Sequence, residues 1–182
     1  DGTAACIASG IRTPGDYNTT LGTTLVFKGI AREICRHPQG LIYSHKLPGG
    51  LWLPGAASNT GGEWITSWFG DADPAALDLQ AAELLPVDHL AYPLARSGER
   101  FPFLAPDAEG FCQPDAPSRV TLYAACLQGT ALVERLAYDV LDKVTGTSGG
   151  SVYCTGGGTR SEVWSQCRAD VTGRCLHLPA CP

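Results

Sequence analysis

Short runs of β-branched and apolar residues broken by glycine early in the chain give way to apolar positions that recur at a helical period later. "DYNTTLGTTLVFKGI", Asp16 to Ile30, sets Thr, Leu, Val and Phe around a central Gly22, which predicts two short strands joined by a tight turn. "GLIYSHKL" and "GLWLPGA" predict two more strands, separated by a turn at Pro48-Gly49-Gly50. Past Gly61-Gly62, "EWITSWF" begins a helical stretch. In "DPAALDLQAAELL", Asp73 is placed to cap a helix whose first position is Pro74, where a missing N–H costs nothing. Six prolines between Pro86 and Pro117 predict an extended loop. From Ser118 to Val144, apolar or small residues recur at Leu122, Ala125, Cys126, Gly129, Leu132, Leu136, Val140 and Val144, the spacing of one helix face. "TGTSGG" stops that helix, "SVYCTG" is strand-like, "TRSEVWSQCRADVTG" predicts a further helix and "CLHLP" a last strand. No internal repeat or low-complexity tract interrupts this order.

Composition narrows the class. The 182 residues are 44% hydrophobic and 17% charged, with a net charge of −5, which suits one folded domain with a sizeable core. Scattered Lys and Arg on an acidic chain supply no electrostatic grip on nucleic acid or anionic lipid. No apolar run reaches the length of a membrane span, and no signal-peptide pattern is present. A chain that opens at Asp1, contains no Met and stops on a strand-like run is expected to be a piece of something longer. The eight cysteines sit inside apolar stretches such as "AACIASG" and "LYAACLQG" without a CxxC pair. That placement predicts buried thiols in a reducing cytosol; a secreted, disulfide-rich domain is the alternative.

The candidate chemistry is carried by glycine. "CTGGGTRSEVWSQCRAD" puts Gly156, Gly157 and Gly158 between a strand and a helix, where bare backbone can approach a phosphate or a base. The plainer reading, a close-packed strand-to-helix connection, is favoured on spacing alone, because neither GxGxxG nor a GK[ST] loop occurs. "LGTTL" offers backbone N–H groups and two hydroxyls at a turn that an ordinary hairpin would also use. "SNTGGEW" opens a helix with a second glycine pair, or is capped simply by Ser58, Asn59 or Thr60. Asp1, ahead of a helix of small residues, is either an N-cap or a base presented at a helix start. The carboxylates form no close pair, no GxSxG elbow exists, and His37, His45, His89 and His177 show no metal-ligand spacing. Three glycine-rich boundaries, one aspartate and no nucleophile together point to a phosphate-transfer site built mostly of backbone.

Blocks in order, "DGTAACIASG", "GDYNTTLGTTLVFKG", "LPGAASNTGGEW", "YPLARSGERFPF", "LQGTALVERLAYDVL" and "TGGGTRSEVWSQCRADVTGR", resemble the C-terminal half of the FGGY carbohydrate kinases, nearest to xylulokinase-like and D-ribulose kinase-like members. The resemblance covers essentially residues 1–182. It implies a ribonuclease H-like (actin-like ATPase) α/β domain, a mixed β-sheet flanked by helices, truncated at both ends. It implies that Asp1 takes the proton from the attacking sugar hydroxyl and that Gly22, Thr23 and Thr24 contact the terminal phosphates of ATP. It further implies that Gly157, Gly158, Ser161 and Trp164 hold the adenosine, Trp164 covering it, and that Gly62 meets the nucleotide from the opposite side. ATP and Mg²⁺ are the implied cofactors, a ketopentose such as D-ribulose or D-xylulose the substrate, and a separate N-terminal kinase domain the partner. The location implied is cytoplasmic, and no metal-ligating side chain is assigned in this half. The alternative is a non-catalytic nucleotide-binding or interaction module that kept the fold.

Overall fold

In the computed structural model, which describes residues 2–147 and 150–178, the hairpin around Gly22 is the centre of the sheet. Helix α1 (Gly2–Ala8) leads into β1 (Tyr17–Leu21) and β2 (Leu25–Gly29), which pair antiparallel from Tyr17 opposite Gly29 to Leu21 opposite Leu25. β3 (Tyr43–Lys46) and β4 (Trp52–Ala57) follow, joined by a single turn at Pro48–Gly50 as the glycine pair there predicts. Two helices, α2 (Glu63–Phe69) and α3 (Pro74–Ala82), come next; the Asp73 carboxylate accepts from the Ala75 N–H and caps α3. Beyond them lie β5 (Leu90–Tyr92), β6 (Phe111–Gln113), the long α4 (Arg119–Thr145), β7 (Val152–Thr155), α5 (Glu162–Thr172) and β8 (Leu176–His177).

The main sheet has six strands in the order β3-β4-β2-β1-β7-β8. β1, β2, β4 and β3 pair antiparallel, with β4 lying between β2 and β3; β1, β7 and β8 are parallel, β7 and β8 joined through α5. One face of β1 carries Tyr17, Thr19 and Leu21 into the main core beneath α4 and α5. The other face is covered by a smaller cluster of Cys6, Ile11, Ile30 and Leu53 from α1 and the strands' far ends. The mixed sheet flanked by helices is the architecture that the resemblance implies.

Two expectations change. The proline-rich segment is not wholly loop, because β5 and β6 pair antiparallel from Leu90 opposite Gln113 to Tyr92 opposite Phe111. On α4 the expected face holds at Ala125, Cys126 and Gly129, which are buried, but fails further along: Leu132 is 37% and Leu136 43% exposed, while Glu134 is fully buried. Its carboxylate forms a bidentate pair with Arg168 of α5 at 2.6 and 2.9 Å, and Thr19 of β1 donates to it at 2.8 Å. Burial by itself would pull the Arg168 pKa down; the Glu134 charge beside it more than offsets that and raises it above the ordinary guanidinium value. With Glu134 inside, Ala131, Ala137, Tyr138 and Leu141 share its buried side of the later turns of α4. Among the described residues seven cysteines are free thiols, five of them buried, with Cys112 half-buried and Cys175 exposed.

Candidate functional site

Three connections converge on one cleft. The turn after β1 contributes Gly22 and Thr23, the start of α2 contributes Gly62 and Glu63, and the segment after β7 contributes Gly157, Gly158, Arg160, Ser161 and Trp164. Asp73, Pro74, Ala75 and Asp78 of the α3 region and Tyr123 of α4 close the far side of a cavity of about 840 Å³. β1 and β7 run parallel, with Tyr17 opposite Val152 and Thr20 opposite Thr155, so both glycine connections leave the sheet at neighbouring C-terminal strand ends. That is where open α/β sheets form binding crevices. A second cavity of about 530 Å³ lies between α3, α4 and α5 and includes none of the glycine connections.

The glycine run serves two masters. A Cβ on Gly156, whose φ is +93°, would lie 2.5 Å from the Leu21 carbonyl oxygen, and one on Gly158 would lie 2.3 Å from Leu21 Cγ and Cδ2. Those two glycines are demanded by the end of β1, as the plainer reading holds. Gly157 has nothing within 4 Å of its Cβ position and opens on the cleft. Gly61 plays the packing role on the other side: its Cβ would sit 2.3 Å from both Thr23 O and Thr24 Cα. The Gly62 N–H donates to Gly22 O at 2.7 Å and the Glu63 N–H to Thr23 O at 3.2 Å, so the turn after β1 is bolted to the start of α2. Within the turn the Gly22 N–H is taken by Thr24 O at 3.2 Å. The Thr23 and Thr24 N–H groups have no backbone acceptor among the described residues.

Charge around the cleft is polarised. Glu63 is paired with the exposed Arg96, the Asp73 carboxylate caps α3, and Asp78 accepts from the Tyr123 hydroxyl at 3.0 Å. Burial, reinforced by Asp78, pushes the Tyr123 hydroxyl pKa up, so it remains a donor. Arg160 is the one cation lining the cavity among the described residues. It stands just before the N-terminus of α5, where unpaired N–H groups and the helix dipole favour anions.

Seven of the eight residues expected to contact nucleotide, Gly22, Thr23, Gly62, Gly157, Gly158, Ser161 and Trp164, line this single cavity. Thr24 does not line it; its backbone is spent on the contact with Gly61. Asp1 lies outside the described residues. Ser161 caps α5, accepting from the Trp164 N–H at 2.9 Å, which leaves its own hydroxyl proton to donate. The expectation that Trp164 covers a ligand needs correcting. The ring is 1% exposed and packs edge-on against Trp64 with centroids 5.6 Å apart, so it is part of the cleft's floor. Ser58, Asn59 and Thr60 do not cap α2 either, whose cap is Gly62 without a side-chain bond. They converge instead on Glu99, a buried carboxylate that sequence reasoning overlooked because its partners lie about forty residues away. Glu134 escaped notice for a different reason: a lone acid in "ALVERLAY" reads as a solvated helix position. Among the described residues no group of three or more His, Cys, Asp or Glu side chains could hold a metal ion.

The sequence profile described as "FGGY family of carbohydrate kinases, C-terminal domain" matches residues 17–182. The chain belongs to the FGGY family of carbohydrate kinases. Over 188 aligned residues this FGGY domain is 28% identical to the xylulose kinase of Escherichia coli, covering 97% of the chain and 38% of that relative. It is 27% identical to the gluconokinase of Bacillus licheniformis over 86% of the chain and 34% of that enzyme. The crystal structure of xylulose kinase from Rhodospirillum rubrum superposes with a TM-score of 0.84 at 27% identity, over 98% of the FGGY domain and 37% of that chain. The domain thus spans less than two fifths of the length of each of these relatives.

Proposed function

We propose that this FGGY domain is the nucleotide-binding half of an ATP-dependent sugar kinase that transfers the γ-phosphate to a hydroxyl of a ketopentose such as D-ribulose or D-xylulose. The observation that carries the reading is the convergence of Gly22-Thr23, Gly62 and Gly157-Gly158-Ser161, from three distant parts of the chain, on one cleft. Phosphoryl transfer needs positioning and charge stabilisation more than covalent chemistry, and backbone donors fixed by packing supply both. The Thr23 N–H and hydroxyl receive the terminal phosphates, with the Gly62–Gly22 hydrogen bond holding the turn in place. Gly157 allows the adenosine to lie on backbone, Gly158 and Trp164 form the floor beneath it, and the Ser161 hydroxyl donates to it. Asp1 is the base for the sugar hydroxyl. Mg²⁺ accompanies the ATP phosphates, which supply oxygen ligands of their own, and the described side chains form no cage for it. An N-terminal kinase domain provides the second wall of the cleft and most contacts to the sugar, and the protein works in the cytoplasm, where the seven described thiols remain reduced.

The similarity to xylulose kinases favours a ketopentose, and the comparable similarity to a gluconokinase sets the competing acceptor. The test is an ADP-release assay on the protein carrying both domains, with D-xylulose, D-ribulose, gluconate, pentitols and glycerol as acceptors. Turnover dependent on a ketopentose is expected. Turnover on gluconate alone would overturn the substrate, and no ADP binding together with no turnover on any acceptor would overturn the kinase reading.

A further inference from the structure

We propose that Glu99 is a positioning residue that holds the phosphate-side turn Gly22–Thr24 through the corner Ser58–Thr60; this rests on the reading of that turn as the phosphate site. Glu99 is 2% exposed, yet none of the charged groups described pairs with it. Its carboxylate is instead surrounded by neutral donors, sorted by type. Oε1 accepts from three backbone N–H groups, those of Asn59 at 2.6 Å, Arg100 at 2.9 Å and Phe101 at 3.4 Å. Oε2 accepts from three hydroxyls, Tyr92 at 2.7 Å, Ser58 at 2.8 Å and Thr60 at 3.1 Å. The glutamate is itself fixed: its N–H and C=O both pair with Ala105, and the Asn59 side-chain amide donates to the Gly98 carbonyl next to it.

From that corner the restraint passes to the turn through backbone alone. Leu25 donates to Thr60 O at 2.8 Å and accepts from the Ser58 N–H at 3.0 Å. One residue further on, Gly61 lies against Thr23 and Thr24, and Gly62 and Glu63 donate to the carbonyls of Gly22 and Thr23. Four backbone hydrogen bonds therefore join residues 58–63 to residues 22–25, and the Glu99 carboxylate is what sets residues 58–60. A buried polar cluster specifies one arrangement only when every member is satisfied, so losing its central acceptor releases the corner. The donor pattern makes a definite chemical demand. An amide side chain meets most of it, with its oxygen toward the three N–H groups and the two hydrogens of its NH₂ toward two of the three hydroxyls, which can rotate to accept. A methyl group meets none of it.

Glu99→Ala and Glu99→Gln, made in the protein carrying both domains, separate positioning from plain stability. Hydrogen exchange is read at the amides of Leu25, Gly62 and Glu63 against those of α4 as an internal reference. In Glu99→Ala the three amides are expected to exchange about tenfold faster or more, equivalent to about 1.4 kcal/mol of local opening, with α4 unchanged. Glu99→Gln is expected to stay close to the parent. In turnover, Glu99→Ala raises KM for ATP by about tenfold while KM for the sugar stays within about twofold, and Glu99→Gln restores the parent values. Loss of protection shared equally by α4, or corner amides as protected in Glu99→Ala as in the parent, overturns the proposal. So does ATP KM unchanged in Glu99→Ala while the parent binds ADP normally. Should the corner loosen in Glu99→Ala in a parent protein that binds no ADP, the brace stands and it is the nucleotide reading that falls.

Discussion

Replacing Gly157 and Gly158 one at a time by alanine separates what the fold needs from what a ligand needs. Gly157 does not require a positive φ, and a methyl group there meets nothing within 4 Å. Gly157→Ala should therefore leave the fold intact or stabilise it by about 0.4–1 kcal/mol through reduced freedom of the unfolded chain. Gly158→Ala drives a methyl to 2.3 Å from the side chain of Leu21, which is fully buried and cannot swing away. Overpacking of this kind costs about 1–3 kcal/mol, or about 2–12 °C of melting temperature for a domain of this size. Nucleotide binding should show the opposite contrast. If adenosine lies on the Gly157 backbone, an added methyl overpacks the ligand by the same about 1–3 kcal/mol, weakening ADP about 5- to 150-fold. The assays are thermal unfolding of the apo protein and ADP titration by calorimetry, on the parent and both variants. Gly157→Ala binding ADP as tightly as the parent would refute the placement of the nucleotide, and equal destabilisation by the two variants would refute the division of labour within the glycine run.

Glu134→Ala should cost about 3–5 kcal/mol in urea unfolding because it strands the Arg168 charge in the core, whereas the double change Glu134→Met with Arg168→Leu should lie close to the parent; a single-variant cost below about 1 kcal/mol contradicts this. Asp16 has an acid-side signature. A little burial pushes its pKa up, but the Thr13 N–H and hydroxyl and the Arg12 N–H, at 2.9, 2.7 and 3.2 Å, outweigh that and hold it below the ordinary carboxylate value. Its stabilisation is fully present above the unfolded carboxylate pKa of about 4 and disappears as pH falls through the lower folded value, so Asp16→Asn should flatten that part of the stability profile; an unchanged slope contradicts it. Burial pushes the Cys6 and Cys167 thiols up to about 11, so in the native protein a disulfide-exchange reagent should reach Cys175 first and the five buried thiols only after denaturation. Denatured but unreduced protein titrating with fewer than seven thiols would contradict the thiol state.

Local chemistry was readable wherever a short stretch contained its own reason. "NTTLGTTLVF" carries β-branched and apolar residues on either side of a glycine turn, and it folds as the β1–β2 hairpin. Asp73-Pro74 caps α3 as expected, beside the N–H group it satisfies, and Ser161, expected only to hold the adenosine, caps α5 by the same local chemistry. What required the tertiary structure was every feature whose partner lies elsewhere in the chain. The inward face of α4 follows Glu134, because the free energy of leaving Arg168 unpaired in the core exceeds what burying Leu132 and Leu136 would gain. The resemblance implies that Trp164 covers a ligand, and Trp64, a hundred residues earlier, takes it into the core instead. Glu99 has no local pattern at all; its six donors assemble only when the proline-rich segment folds over the β4–α2 connection. The cleft itself depends on β1 pairing parallel to β7 across more than a hundred residues. Strand periodicity sets which side chains share a face, but pairing partners are chosen by burial of the whole sheet, which no local window contains.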